Sequence, residues 1–217
     1  AGYMGLCNGE RVTINIANGV TQSFSTKELK SDSIVGVLGH ECGHYNYSNC
    51  NLFQKYQEGI LKGIWYPHAP TAETSREKEY LEELKGYFQK KNEIALALVC
   101  EAASQIRNLL EDVYVEGRMC RKYPGSIRRG IIQNQRRNGE GIPSLCKQIA
   151  MQYEESSIMI NLIVQYTLFG EINNWDGYQG KLLDVLEEVK PVVDQVAKDT
   201  GESSRFMAAN QIILKIW

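Results

Sequence analysis

The stretch His40-Glu41-Cys42-Gly43-His44 decides how this chain is read. It is an H-E-x-x-H pentapeptide, and it uses two of only three histidines in the sequence. On a helix, positions i and i+4 lie one turn apart on the same face, so both imidazoles can reach one Zn2+ while Glu41 falls beside them as a base. The preceding residues predict that helix: Ser31-Asp32-Ser33 offers caps ahead of Ile34-Val35-Gly36-Val37-Leu38-Gly39, giving a span from about Ser33 to Ser48. Gly36, Gly39 and Gly43 each cost roughly 1 kcal/mol of helix propensity relative to alanine. Close approach of another backbone would offset that cost.

Working outward, Val12, Ile14 and Ile16 alternate up to Asn18-Gly19 and the pattern resumes at Val20, which predicts a hairpin with a two-residue turn. Downstream the pattern is helical. A helix is expected over Leu52–Ile64, a loop from Trp65 to Pro70, a charged helix from Thr74 to about Lys91, and a longer one from Asn92 to about Lys122. Ile131 to Arg137 reads as a short basic helix or loop, Ser144 to Phe169 as one long helix, and Asn173 to Gly177 as a turn. A helix over Lys181–Asp199 must be kinked or divided by Pro191, and Gly201 resets the chain for a last one. The expected fold is mainly α (α+β) with a small N-terminal β-hairpin. Residues 1–125 would carry the zinc-binding part, and 126–217 would form a helical extension packed on it or continuous with it.

Composition narrows the function classes. The chain has 217 residues, 43% hydrophobic and 23% charged, enough to bury a core without staples. A formal charge of −2 argues against a generic polyanion binder. The six cysteines are scattered with no C-x-x-C pair, a spacing expected of reduced cytoplasmic thiols. The longest apolar stretch, Ile158 to Phe169, is interrupted by Asn161, Gln165 and Thr167, so no membrane span is expected. Ala1 opens the chain without a methionine and Trp217 falls within an apolar helical pattern, so the expectation is a piece of a longer protein.

A catalytic zinc site needs a third protein ligand and an open position. Cys50 stands where a metzincin would place its final histidine, but Tyr47 stands where that pattern needs glycine. His68, between Pro67 and Pro70, would complete a three-histidine site resembling that of SprT-like proteases. The helix ending Asn108-Leu109-Leu110-Glu111-Asp112-Val113-Tyr114-Val115-Glu116 sets an apolar stripe (Val99, Ala103, Ile106, Leu110) against a polar face with Asn108, Glu111 and Asp112. Spacing alone leaves these choices open.

The pairing of an H-E-x-G-H helix with a later N-x-x-E-D-x-x-x-E helix resembles the metallopeptidase domains that precede von Willebrand factor A-like domains in bacterial and mobile-element proteins, a gluzincin-like branch of the zincins. The resemblance rests on His40, Glu41, Gly43, His44, Asn108, Glu111, Asp112 and Glu116 and covers roughly residues 10–120. It implies a zincin-like helical domain with Glu111 as the third ligand, followed in preference by Asp112 and then Glu116. One departure stands out: the gluzincin pattern places an aspartate four residues after the ligand glutamate, and Val115 occupies that position. Asp112 and Glu116 do stand four apart, so ligand and supporting roles could be exchanged among the three carboxylates.

The expected activity is zinc-dependent hydrolysis of a peptide bond in a peptide or protein substrate, with Glu41 as general base. A von Willebrand factor A-like domain, in the same or a partner chain, is the partner the resemblance implies. Two alternatives differ in class: a non-catalytic zinc-stabilised module that binds a partner, and a nucleic-acid-associated SprT-like protease. The latter would use the seven basic residues between Gly117 and Gly139 (Arg118, Arg121, Lys122, Arg128, Arg129, Arg136, Arg137). That segment lacks interleaved aromatics for base stacking, which argues against nucleic acid.

Overall fold

A computed structural model describes residues 3–172 and 177–217, which form ten helices and one antiparallel hairpin. The hairpin pairs β1 (Gly5–Cys7) with β2 (Val12–Ile14), Leu6 opposite Thr13. Its reversal is at Asn8–Arg11, where Asn8 Oδ1 accepts from the backbone N–H of Glu10 and Arg11 and Gly9 takes φ +85°. The turn expected at Asn18-Gly19 is therefore misplaced. Asn18 instead caps α1 (Gly19–Gln22), its Oδ1 accepting from Thr21 N at 2.9 Å. Asparagine serves turns and helix starts through the same side-chain-to-backbone bond, so Asn-Gly marks a change of direction without saying which kind.

Helix α2 spans Lys27–Tyr47 and starts earlier than expected, because Thr26 is its cap: the Thr26 hydroxyl accepts from Leu29 N at 3.2 Å, and Glu28 sits in the first turn. Helices α3 (Cys50–Leu61), α4 (Ser75–Lys90) and α5 (Glu93–Lys122) begin at Asn49, Thr74 and Asn92, whose side chains each accept from a first-turn N–H. Thr74 and Glu77 cap reciprocally. With 30 residues, α5 is about 45 Å long and forms the axis of the molecule.

Helix α6 (Ser126–Glu140) extends well beyond the short basic segment expected there. The single helix expected from Ser144 to Phe169 is two, α7 (Leu145–Ala150) and α8 (Glu155–Phe169). The break is a Schellman closure: Gln152 takes φ +57°, with Tyr153 N bonded to Gln148 O and Gln152 N to Ile149 O. Glutamine holds the left-handed position usually given to glycine, so the sequence carries no stop signal there. Helix α9 (Lys181–Lys198) contains Pro191 without dividing, and α10 (Glu202–Ile216) closes the chain. Apart from Gly177, the turn expected at Asn173–Gly177 lies outside the described residues.

Packing explains the glycines of α2. A Cβ on Gly36 would come under 3.0 Å from the backbone of Gly130 in α6, and one on Gly130 equally close to the backbone of Asp32 and Gly36. A Cβ on Gly39 would meet Ile127 Cγ2 at 2.5 Å, and one on Gly43 would collide with Val115 and Met119 of α5. The absent side chains are what let three helices touch. Beyond this crossing, a hydrophobic core runs through Tyr56, Leu84, Leu96, Ile106, Leu162, Leu186, Phe206 and Ile212, all buried, so residues on both sides of position 125 share it. Among the described residues no helix is long and apolar enough to cross a membrane. All six cysteines are free.

Candidate metal centre

Helices α2 and α5 run antiparallel past each other, and each contributes two residues spaced i, i+4: His40 and His44 from α2, Asp112 and Glu116 from α5. The two pairs face each other. His40 Nδ1 lies 2.9 Å from Glu116 Oε1, and His44 Nε2 lies 3.0 Å from Asp112 Oδ1. The two Nε2 atoms are 3.1 Å apart, and His40 Nε2 is 3.9 Å from Asp112 Oδ1.

These three atoms fit a metal ion in distance and in chemistry. A circle through points separated by 3.0, 3.1 and 3.9 Å has a radius of about 2.0 Å, within the roughly 2.0–2.2 Å expected for zinc to imidazole nitrogen and carboxylate oxygen. Each Nδ1 is engaged elsewhere, by Glu116 for His40 and by Ser48 Oγ at 2.8 Å for His44. That leaves two Nε2 lone pairs and a carboxylate oxygen converging on one point, an arrangement that repels itself unless a cation stands among them. A proton can play the same part. Burial works against charge on His40, but the hydrogen bond to Glu116 and the negative charges of Asp112, Glu116 and Glu41 outweigh it and raise its pKa to about 9.

Glu41 is buried at 7% exposure, with its carboxylate held under the hairpin. A Cβ on Gly5 would lie 2.5 Å from Glu41 Oε1, so the missing side chain in β1 makes the space this carboxylate occupies. Burial pushes the Glu41 pKa up and the charge of Asp112 adds to this, while the two imidazoles draw it back. A carboxylate raised in this way is a stronger base than one in open solvent.

The other candidates are placed differently. Glu111, expected as third ligand, is 1% exposed and turned away from the Nε2 pair; it holds Arg205 Nε and Arg107 (3.2 Å) and accepts from Ser48 Oγ at 2.7 Å. The correction follows from the helix: adjacent positions differ by about 100°, so a Glu111 pinned by two buried guanidiniums sends Asp112 to the imidazoles. Among the described residues, His40, His44 and Asp112 are the group of side chains close enough to share one ion. His68 is exposed and meets α10 through its backbone carbonyl, which accepts from Asn210 Nδ2 at 2.9 Å. Asn108 is exposed and accepts from Arg107 at 3.4 Å. Cys50 stands at the start of α3, and Tyr47 stacks under Arg118.

Sequence reading missed Ser48, Gln135, Arg107 and Arg205. Only Ser48 carried a local signal, standing four residues after His44 as His44 does after His40. Part of the basic segment is committed to the fold: Arg129 pairs with Asp32 in a two-pronged contact at 2.7 and 2.8 Å, and Arg137 packs over Phe24. A cavity of about 800 Å³ between α5, α8 and α10, lined by Leu98, Met159, Ile213 and Trp217, is separate from the His40, His44 and Asp112 cluster. The ligand cluster itself is open on the Asp112 side, whose side chain is 36% exposed. Comparison with family models, curated proteins and solved structures finds no match to this chain.

Proposed function

We propose that this chain is a zinc-dependent hydrolase acting on peptide bonds, with His40, His44 and Asp112 holding the metal and Glu41 as general base. The observation that carries this reading is the convergence of three ligand atoms on a point about 2.0 Å from each, with both imidazoles engaged through Nδ1 and turning Nε2 towards that point. When bound, the ion supplies acidification of water and polarisation of a carbonyl. Glu41 takes a proton from the attacking water and delivers it to the departing amine, and its raised pKa makes it the stronger base for the first of these steps. Glu116 orients His40 through Nδ1, and the partly exposed Asp112 carboxylate puts that side of the cluster within reach of solvent. The peptide class of substrate comes from the H-E-x-x-H resemblance.

The test is a single carboxylate change. Wild-type protein is expected to bind about one zinc per chain and to hydrolyse an unstructured protein substrate in a chelator-sensitive manner. Glu41→Gln should keep the zinc and lose turnover by on the order of 10²–10⁴-fold. Full turnover in Glu41→Gln, or a wild-type chain that takes up no zinc, would overturn the proposal.

A further inference from the structure

Each imidazole of the centre is held through a carboxylate by a residue from the C-terminal half of the chain. On one side Gln135 of α6 donates to Glu116, which receives His40 Nδ1–H at 2.9 Å. On the other, Arg205 of α10 donates to Glu111, Ser48 donates to Glu111 at 2.7 Å, and His44 Nδ1 meets Ser48 Oγ at 2.8 Å. We infer that Ser48, Glu111 and Arg205 form a positioning relay that fixes the tautomer and orientation of His44, so that α10 is a working part of the metal centre. The inference rests on the metal-site reading above and extends it to residues that touch no ion.

The direction of the relay follows from proton counting. A serine hydroxyl has one proton, and a carboxylate held by two guanidiniums is ionised and only accepts. With the Ser48 proton committed to Glu111, the remaining role for Ser48 Oγ towards His44 is acceptor, which requires the His44 proton on Nδ1 and leaves Nε2 bare. Glu111 is in turn immobilised: it is 1% exposed, Arg107 is 6% exposed and Arg205 2%. Arg107 lies between the rings of Phe53 and Phe206, 4.8 Å from each, and Arg205 sits 4.0 Å over Tyr114. Two buried cations with stacked faces need a buried anion, and Glu111 answers that need while presenting its other oxygen to Ser48. The His40 side is built differently, because there the carboxylate touches the ring directly and no hydroxyl intervenes. His44 therefore depends on an oriented hydroxyl that three elements must hold in register.

The experiment measures metal affinity and His44 itself, independent of hydrolysis. Zinc affinity is read by competition with a chromophoric chelator in wild type, Ser48→Ala, Ser48→Thr, Arg205→Gln and Arg205→Lys, and the His44 tautomer by 15N NMR of the ring in metal-free protein. Ser48→Ala is expected to lower affinity by about 10-fold or more and to give a mixture of tautomers, while Ser48→Thr restores both. Arg205→Gln should produce a smaller loss in the same direction; if it fails to fold, Arg205→Lys and the Ser48 pair still decide. Wild-type affinity together with an unchanged Nδ1–H signal in Ser48→Ala would overturn the relay. A wild-type chain that binds no zinc would remove the proposed activity, yet the metal-free ring signal would still report whether Ser48 sets the tautomer.

Discussion

At the scale of single residues, the centre is controlled by atoms that are missing as much as by those present. Gly5→Ala would push a methyl against Glu41 Oε1, Cγ and Cδ at 2.5 to 2.8 Å, and the carboxylate rather than the strand has freedom to give. Zinc content should be unchanged in this variant while kcat falls by on the order of 10²-fold, the effect of misplacing a reacting group by about 1 Å; parallel metal and turnover assays check it. His40 supplies a second prediction. Its folded pKa, about 9, exceeds the unfolded value of about 6.5, so the stability it contributes to metal-free protein is complete below about pH 6.5 and is lost as pH rises through about 9. Chelator-treated protein should lose on the order of 5–10 °C in Tm between these limits, and His40→Asn should flatten that dependence. Of these residues His40, Glu41 and His44 were legible, since their geometry is set within one helix. Asp112 was not separable from Glu111, because the rotation of α5 is fixed by Arg205, ninety-odd positions later in the chain.

At the scale of elements, the crossing of α2 and α6 is the contact most sensitive to substitution. Gly130→Ala places a Cβ against the Asp32 carbonyl and the Gly36 backbone, neither of which can rotate away. Separating the helices should cost about 1–3 kcal/mol, readable as a lower urea midpoint with an unchanged slope. Caps made some helix starts readable, as at Thr74 and Asn92, where side chain and backbone lie three residues apart. Where one residue type serves two purposes, reading failed: Asn18 caps a helix instead of closing a hairpin, and Gln152 ends one without glycine or proline. Such endings are decided by hydrogen bonds available only once the neighbouring segment has folded.

At the scale of the whole molecule, the last ninety residues share a hydrophobic core with the first part. Ile158, Leu162, Leu186, Val189, Phe206 and Ile212 belong to the same core as Tyr56, Leu84 and Ile106. A fragment ending at residue 125 would expose that shared core and lose both Gln135 and Arg205. It is expected to show no cooperative thermal transition and no tight zinc binding, measured against the full chain by circular dichroism and chelator competition.

The contact between Gly36 and Gly130 brings two backbones together with no rotatable bond between them. Side-chain packing can shift by changing rotamers, whereas an interface of bare main chain can shift only by bending a helix. The helix that carries both imidazoles is thus mounted on a stiff bearing, and thermal motion at His40 and His44 should be damped relative to the hairpin above them. The expected consequence is a centre whose metal exchange is governed by opening of the β1–β2 side or by local unfolding, with the helical wall behaving as a fixed surface.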